Sequence, residues 1–486
     1  MRHRYSQPLH LKHLTEDQLN KLLANWSKRT GSTLPVDVAA VKQRASGLPI
    51  YALLAMATQG SVDGAHTALD EFAKRSRRKL IDGGLDEDVV PVVALASLTR
   101  GLGWEAANAY RPELRDKPDI KPTLDRLFAT DCAGSIPAIR PDILAGYFVL
   151  AEFQKLNESH RQAFLDAAWE AAPNRVARTL MLIHRDFPEH EALPSLDRLP
   201  EHAAARLWWG RVRVWLIAEL DITGGERHWA MLRDTAAAHP DDADLTLAMA
   251  EGAVNAINRY GEEKRWDEMT QAFHALRQVA ERHPDDTDIQ LELAGGTVNA
   301  VGRFGDGQRW DDMASALAEL RQVAERHPDN TDIQLILAEG AFNAATSYGE
   351  GQRWDEMASA LAELRQVAER HPDNTDIQLT LAKGAVNAVG RFGDGQRWDD
   401  MAEALAELRQ VAERHPDHAD IQLELAKGAV NAILGYGDGH RPDEMTRALG
   451  DARGALARVP ESPEIQNIVR RGEAAVRRFG AGRTGA

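Results

Sequence analysis

The sequence predicts an all-α protein whose C-terminal half is a solenoid of two-helix repeats. Two observations predict this fold class. The dipeptide His-Pro recurs every 44 residues, at positions 239, 283, 327, 371 and 415. Each interval contains two stretches whose apolar residues follow helical spacing. A fixed period of this length indicates a stack in which every unit buries its apolar face against its neighbours.

The unit from Asp376 to Pro416 shows both helices most clearly. Helix A is predicted from Asp376 to about Phe392, because apolar residues follow at spacings of three and four. The sequence Gly393-Asp394-Gly395 is expected to end it. Helix B then begins at Trp398 and ends at His415-Pro416, since proline cannot continue a helix. The short polar residues that follow Pro416 are suited to capping the next helix A.

Helix B also carries a family resemblance. Ala360, Leu364, Val367 and Pro372 resemble the A-x-x-x-F…P half of the tetratricopeptide signature, with Leu in place of Phe. That family has a period of about 34 residues, so these repeats are a long variant, and the Trp-Leu-Gly-Tyr half is not matched. The resemblance covers about residues 225–480. It implies a right-handed α-solenoid of tetratricopeptide-like repeats, with helices A lining a concave groove.

Acidic residues are concentrated in the repeat half. The formal net charge of the 486 residues is −16, and residues 201–486 alone carry 32 Lys and Arg against 49 Asp and Glu. Nucleic-acid binding needs clustered basic residues, so no nucleic-acid partner is expected. No apolar run approaches the ~18 residues that span a bilayer, and the single Cys132 suits a reducing compartment. We expect a cytoplasmic protein without membrane contact.

The N-terminal part carries a second resemblance. Gly47-Leu48-Pro49 follows a predicted helix and precedes an apolar helix that begins at Tyr51. This order resembles the G-L-P-L segment of the helical subdomain of STAND NTPases, the signalling ATPases that include NB-ARC and NACHT proteins. The resemblance implies that Pro49 lies near the adenine of bound nucleotide and that a winged-helix domain follows from about Val89. The alternative interpretation is a tight turn with Pro49 at the first position of a helix.

Ile139 to Leu144 lies where this family often has an M-H-D-L-L-like motif. The nucleotide-sensing His of the family aligns with Pro141, which has no polar side chain and no backbone N–H. Arg140 could replace it as an anion contact, or the segment could be a helix entry with Asp142 near the N-terminus. The chain contains no G-x-x-x-x-G-K-[ST] phosphate loop and starts where the nucleotide-binding domain of such an ATPase would end.

These observations predict three domains. Residues 1–85 form a helical subdomain resembling the G-L-P-L region, and residues 86–200 form a winged-helix-like and helical linker domain. Residues 201–486 form the solenoid with terminal capping helices, for which Leu207–Leu216 and Glu464–Phe479 are the candidates.

No pattern of catalytic residues emerges. The histidines of the His-Pro dipeptides lie 44 residues apart at helix ends, so they cannot converge on one metal ion. Acidic pairs such as Asp355-Glu356 occupy the first turn of helix B, where the helix dipole favours them. No Ser-His-Asp or Cys-His signature is present. We therefore expect no enzymatic activity, no cofactor and no metal.

Four tryptophans open helix B in successive units: Trp266, Trp310, Trp354 and Trp398. Each is predicted to pack against its own helix A and the adjoining unit. As a core truncation, Trp354→Ala would cost about 3–5 kcal/mol.

Comparison of the repeats locates a candidate peptide-binding groove on helix A. One asparagine is constant in every unit: Asn255, Asn299, Asn343, Asn387 and Asn431. Gly252, Gly296, Gly340, Gly384 and Gly428 precede these asparagines by one turn. Three columns beside the asparagines vary. They are Ala248, Glu292, Ile336, Thr380 and Glu424; Glu251, Gly295, Glu339, Lys383 and Lys427; and Asn258, Gly302, Thr346, Gly390 and Leu434.

Two interpretations of these columns stay open. The asparagines bond neighbouring backbone while the glycines allow close approach, or the asparagines grip a peptide whose side chains the variable columns read.

The preferred function is a protein-interaction module, the ligand-sensing and regulatory arm of a STAND-type signalling system. Its expected partners are a protein or peptide ligand and a separate or upstream nucleotide-binding domain. The alternative is a free-standing tetratricopeptide-like scaffold or adaptor unrelated to nucleotide signalling. An ATPase in its own right is disfavoured by the missing phosphate loop.

Overall fold

The computed structural model describes residues 65–129, 132, 134–140 and 142–481. The chain divides into two compact units, Met1–Leu216 and Ile217–Ala486. This division falls later than the expected boundary at residues 200 and 201. The predictions for Pro49 and the helices around it lie outside the described residues.

The described part of the first unit is built mainly of helices. They are α1 (Ala65–Asp82), α2 (Val90–Leu98), α3 (Trp104–Tyr110), α4 (Ile120–Phe128), α5 (Asp142–Lys155), α6 (Glu158–Ala171), α7 (Pro173–Asp186), α8 (Leu193–Leu196) and α9 (Ala203–Glu219), the last ending in the second unit. Strands β1 (Leu102–Gly103) and β2 (Ser135–Ile136) pair antiparallel. Every residue of α2 is buried, so this helix is a core segment of the first unit.

The segment predicted to cap the solenoid from the N-terminal side, Leu207–Leu216, belongs to the first unit. Within it, the indole of Trp209 donates a hydrogen bond of 2.8 Å to the Asp197 carbonyl. The guanidinium of Arg213 lies over the Trp209 ring and bonds the Asp197 carboxylate at 2.7 Å. His184 contacts the same carboxylate. This buried cluster fixes the start of α9 to the connection that follows α8.

The second unit is an α-solenoid, as predicted. Its helices A are α11 (Ala243–Glu262), α13 (Thr287–Asp306), α15 (Thr331–Glu350), α17 (Thr375–Asp394) and α19 (Ala419–Asp438). Its helices B are α12 (Trp266–Arg282), α14 (Trp310–Arg326), α16 (Trp354–Arg370), α18 (Trp398–Arg414) and α20 (Pro442–Arg458). Helix α10 (Ile222–Ala238) precedes them, and α21 (Pro463–Ala481) follows as a sixth helix A.

The turn between helices A and B differs from the prediction. Helix α17 continues through Asp394, and the left-handed residue that ends it is Gln396, at φ 57°; Gly395 itself has a helical φ of −81°. Gly395 serves another purpose, because a Cβ built on it would lie 2.8 Å from the indole of Trp354. The glycine makes room for a ring from the preceding helix B.

The constant glycine of helix A marks a second close approach. A Cβ on Gly340 would lie 2.5 Å from Cδ2 of Leu320, and one on Gly384 would lie 2.7 Å from Cδ2 of Leu364. Both leucines belong to the preceding helix B and are fully buried. Glycine is therefore required where helix A crosses that helix, which confirms the close-approach interpretation of this column.

The tryptophans join neighbouring units. Trp354 lies over the C-terminal end of α17, with its ring centroid 6.2 Å from that of Phe392 in the next unit. Trp310 meets Tyr348 in the same way, at 5.8 Å. The indoles are half-buried, which differs from the full burial assumed for a core truncation. The predicted packing on the adjoining unit is correct. Because the indoles are only half-buried, we expect Trp354→Ala to cost less free energy of unfolding than a core truncation.

Helices A form the more closely packed layer of the solenoid. Consecutive helices A lie against one another throughout the series, whereas consecutive helices B approach at few points. The helices B are bridged instead by long side chains, as between Arg321 and Glu363 (2.8 Å) and between Arg409 and Asp451 (2.7 Å). Helices A therefore form the closely packed layer of the stack, and helices B form the layer that long side chains bridge.

Two adjacent glycines test the close approach. Gly296→Ala would place a methyl 2.4 Å from Leu276 and should destabilise the solenoid by about 1–3 kcal/mol. Gly295→Ala is the matched control, because nothing lies within 4 Å of its Cβ. That change should stabilise helix α13 by about 0.5–1 kcal/mol. Urea denaturation followed by circular dichroism measures both, and equal effects would contradict the assignment.

The contact between Trp354 and Gly395 is tested by a double-mutant cycle. Trp354→Ala should cost about 2–3 kcal/mol, less than a fully buried ring, because the indole is partly exposed. Gly395→Ala should destabilise the wild-type chain, since its methyl would meet the indole. In the Trp354→Ala background the same methyl has room. The two changes should therefore be strongly non-additive in urea denaturation, and additivity would show that the ring does not rest on Gly395.

Candidate protein-binding groove

One face of the solenoid is formed by the exposed side of α11, α13, α15, α17, α19 and α21, and we call it the helix-A groove. In α15 its floor consists of the half-buried Leu335, Ile336, Asn343 and Thr346 and the exposed Glu339. These positions recur every 44 residues in the other helices A. The same helix packs against the two neighbouring helices B and the two neighbouring helices A. The groove therefore has a repeated framework with variable side chains.

The constant asparagines are half-buried at the seams between consecutive helices A. Asn387 Nδ2 donates a hydrogen bond of 3.2 Å to the Thr346 hydroxyl in the preceding helix A. Nδ2 of Asn431 lies 3.6 Å from a Cβ built on Gly390, and Nδ2 of Asn343 lies 4.0 Å from one built on Gly302, so these amides rest over the variable column of the unit before them. A bond to Thr346 uses one N–H of the Asn387 amide, which has a second N–H and a carbonyl.

Carboxylates gather toward the N-terminal end of the groove. Glu292 is half-buried, and burial first, with Glu251 and Asp288 adding to it, raises the pKa of Glu292 to about 7. Glu251 lies on the preceding helix A, so the repulsion acts across a seam.

Lysines replace these carboxylates further along. Partial burial raises the pKa of Glu339, and the charge of Lys383 in the next unit opposes that rise. Lys427 is exposed, and its Nζ lies 2.8 Å from the carboxylate of the nearly buried Glu424. The variable column that begins with Glu251 thus changes sign between α15 and α17.

The variable columns continue into the last helix, α21. Gly472 follows Gly428 by 44 residues and contacts Val430 of α19, as the other constant glycines contact the helix A before them. This register places Arg471 and Arg478 in line with Lys427 and Leu434, and both arginines are exposed. The glycine spacing could have revealed this, but α21 was interpreted only as a polar cap.

A row of buried glutamines was also missed. Gln290, Gln334, Gln378 and Gln422 are fully buried, and each Nε2 donates to the carbonyls at the end of the preceding helix B. Their amides satisfy backbone groups that no further helical turn could reach. They hold the start of each helix A, and so the groove floor, in place.

In the first unit, Arg140 is exposed and pairs with Asp142, the first residue of α5, at 3.0 Å. Arg100 pairs with the same carboxylate at 2.7 Å. These residues border a hollow between α2, α5 and α7 whose volume is about 10 Å³, room for one water. The predicted helix entry at Asp142 is present, while an anion contact by Arg140 stays a prediction. Pro49 lies outside the described residues.

Within residues 65–129, 132, 134–140 and 142–481, no group of three or more His, Cys, Asp and Glu side chains is placed to hold a metal ion. Across the same ranges, no helix combines the length and the apolar character needed to cross a membrane.

No protein-family model matches the sequence, and no curated protein matches it. Solved structures of helical repeat proteins are similar at low scores. A circular tandem repeat protein with novel repeat topology shares 13% identity over 82% of this chain and 100% of its own, with a TM-score of 0.28. A STAND protein with a tetratricopeptide repeat sensor from Pyrococcus horikoshii shares 12% over 97% and 73%, with a TM-score of 0.30. The tetratricopeptide repeat domain of P58(IPK) shares 14% over 69% and 98%, with a TM-score of 0.19. Scores this low carry no conclusion about function.

The raised pKa of Glu292 makes stability depend on pH. Because the pKa rises from 4.5 to about 7 on folding, the folded chain binds this proton more tightly, and stability falls as pH increases between those values. Glu292→Gln removes the charge. At pH 8 the variant should be more stable than wild type by about 1–2 kcal/mol after allowance for solvent screening, and near pH 4.5 the two should be alike.

Thermal unfolding across this pH range measures the difference. Glu325→Gln, which removes an exposed carboxylate from the last turn of α14, is the matched control and should not reproduce the pH dependence. A Glu292→Gln variant whose stability parallels wild type at every pH would show that Glu292 is ordinarily solvated.

Proposed function

We propose that the second unit is a protein-interaction module that binds an extended segment of a partner protein along the helix-A groove. The observation that carries this proposal is the constancy of one half-buried asparagine in five units beside columns that vary. Amide groups bond peptide backbone irrespective of side chain. The variable columns beside them would distinguish one sequence from another.

The remaining surfaces are less suited to recognition. On the helices B, basic and acidic side chains pair with one another, as in Arg321–Glu363 and Arg365–Glu407. The two deep glycine contacts of each unit are filled by leucine and tryptophan. The helix-A groove presents half-buried leucines such as Leu335 and Leu379 together with polar groups, the composition expected of a binding cleft.

Selection from a displayed random peptide library tests the proposal. Peptides that bind the wild-type chain should lose binding to Asn343→Ala by about tenfold or more, since an amide that grips backbone contributes hydrogen bonds to most ligands. The unfolding midpoint of the variant should stay close to wild type because the side chain is half-exposed. Arg321→Ala, which alters the layer of helices B, is the control and should retain the peptides.

The opposite outcome is equally definite. If Asn343→Ala lowers stability by about 1–3 kcal/mol and leaves peptide binding intact, the asparagines are structural and the groove does not grip backbone through them. Peptides lost equally on Arg321→Ala would place the binding surface elsewhere.

We further propose that the first unit is the winged-helix-like arm of a STAND-type system and that the solenoid is its sensor. Support comes from the G-L-P resemblance and from the order helix, strand, two helices, strand from Val90 to Ile136. Free-standing adaptor function is the alternative, and it needs only the solenoid. A separate nucleotide-binding domain that associates with the first unit would favour the sensor role.

The chain by itself should not bind nucleotide tightly. No phosphate loop is present in the sequence, and the hollow beside Arg140 has room for one water. Calorimetric titration with ATP and Mg²⁺ should therefore show no saturable heat at micromolar concentration. Submicromolar affinity would contradict this prediction and would support an ATPase.

A further inference from the structure

We propose that the helix-A groove is charge-separated and selects a dipolar partner segment, in which acidic side chains recur at every third position and a basic stretch precedes or follows them. This inference rests on the proposed function, because it names the chemistry of the ligand for the same groove.

The central column of the groove changes sign along the solenoid. Its members are Glu251, Gly295, Glu339, Lys383, Lys427 and Arg471. The flanking columns reinforce both ends, with Glu292 beside Glu251 and Arg478 beyond Arg471. The central column therefore carries carboxylates in α11 and α15 and cations in α17, α19 and α21. The reversal is notable because residues 201–486 as a whole are strongly acidic.

Other charges border the basic half. Asp376, Asp420 and Glu464 lie in the first turns of α17, α19 and α21, two helical turns before the central column. Glu424 pairs with Lys427, although the lysine side chain is still 44% exposed. Lys383 and Arg471 are exposed. The acidic first turns make this face unfavourable for a continuous polyanion such as nucleic acid, while spaced carboxylates can reach the central cations.

The spacing of the units sets the spacing of the ligand. Packed helices lie about 8–10 Å apart, so Lys383, Lys427 and Arg471 form a row with that step. An extended polyproline II chain advances about 3.1 Å per residue and repeats its orientation every three residues, giving about 9.3 Å. One side chain in three therefore faces successive cations. A segment of the form Glu-x-x-Glu-x-x-Glu satisfies the row.

The acidic half has complementary needs. Glu251 and Glu292 lie on consecutive helices A, and the charge of Glu251 adds to the burial that disfavours the Glu292 charge. A lysine or arginine of the ligand placed between them removes a repulsion that exists in the free protein. A dipolar segment in one direction thus makes favourable charge contacts at both ends of the groove. The same segment in the reverse direction makes unfavourable contacts at both.

Fluorescence anisotropy with labelled peptides tests the proposal. One probe carries three Lys-Ala-Pro triplets followed by three Glu-Ala-Pro triplets, a second has the blocks reversed, and a third interleaves the same triplets. One of the block peptides should bind about tenfold or more tightly than the interleaved peptide. Lys383→Glu with Lys427→Glu should weaken that peptide by about tenfold or more.

The matched control is Arg326→Glu with Arg370→Glu, which makes the same change in net charge on exposed sites of helices B. It should change affinity by no more than about twofold, because screening confines such effects to about a Debye length. Circular dichroism checks that both double variants are folded. Equal loss in the two variants would show that only the overall field matters, and would overturn the proposal.

Three further results would also overturn it: no binding of either block peptide, equal binding of the interleaved peptide, or equally tight binding of a single-stranded oligonucleotide. The library selection separates these failures from failure of the proposed function. Peptides that depend on Asn343 but show no segregation of charge would overturn the charge-separated groove alone. A library with no groove-dependent peptides would remove both.

Discussion

Each helix A must come close enough to the preceding helix B for a glycine Cα to meet a leucine methyl. Gly340 with Leu320, and Gly384 with Leu364, show this contact most clearly. A side chain at the glycine would push the two helices apart and would also separate helix A from the helix A before it. The close packing of consecutive helices A, and with it the helix-A groove, follows from this spacing. The tryptophan contacts lie at the other end of helices A, where Gly395 makes room for Trp354 as Gly340 does for Leu320.

The architecture could be predicted because a period fixes it. Helical spacing between Ile377 and Phe392 and the stop at His415-Pro416 gave helix bounds within a few residues of those observed. Glycine at the turn misled the prediction, since Gly395 resembles a helix breaker in sequence but is needed for the ring of Trp354. The extent to which the Trp354 ring is buried could not be predicted from the sequence either. Periodicity shows which face of a helix is apolar, not how much of a side chain the neighbouring unit covers.

Repeat comparison predicts the groove only as a set of columns, and the contacts within those columns could not be predicted. The bond between Asn387 and Thr346 joins residues 41 apart, and the repulsion between Glu251 and Glu292 likewise crosses a seam. Both depend on the distance between consecutive helices A, which the glycine contacts set and a sequence pattern does not express. The extension of the basic row to Arg471 was missed for a different reason. An arginine-rich terminal helix fits a polar cap equally well, and only its register with α19 reveals that it continues the groove.

Near-identical repeats create a difficulty for recognition that charge reversal can resolve. A groove built from equivalent units offers an extended ligand the same backbone contacts in several registers. A ligand that shifts by one unit meets the next asparagine of the Asn343 column in an equivalent position. The bound ligand would then be distributed over several registers, and no single register would be preferred. Reversal of sign between Glu339 and Lys383 removes this equivalence. A dipolar segment that slips by one unit brings like charges together at the reversal, at a cost of about 1 kcal/mol for each close pair even in water. The asparagines would then supply binding strength without a preferred position, and the charges would supply the position.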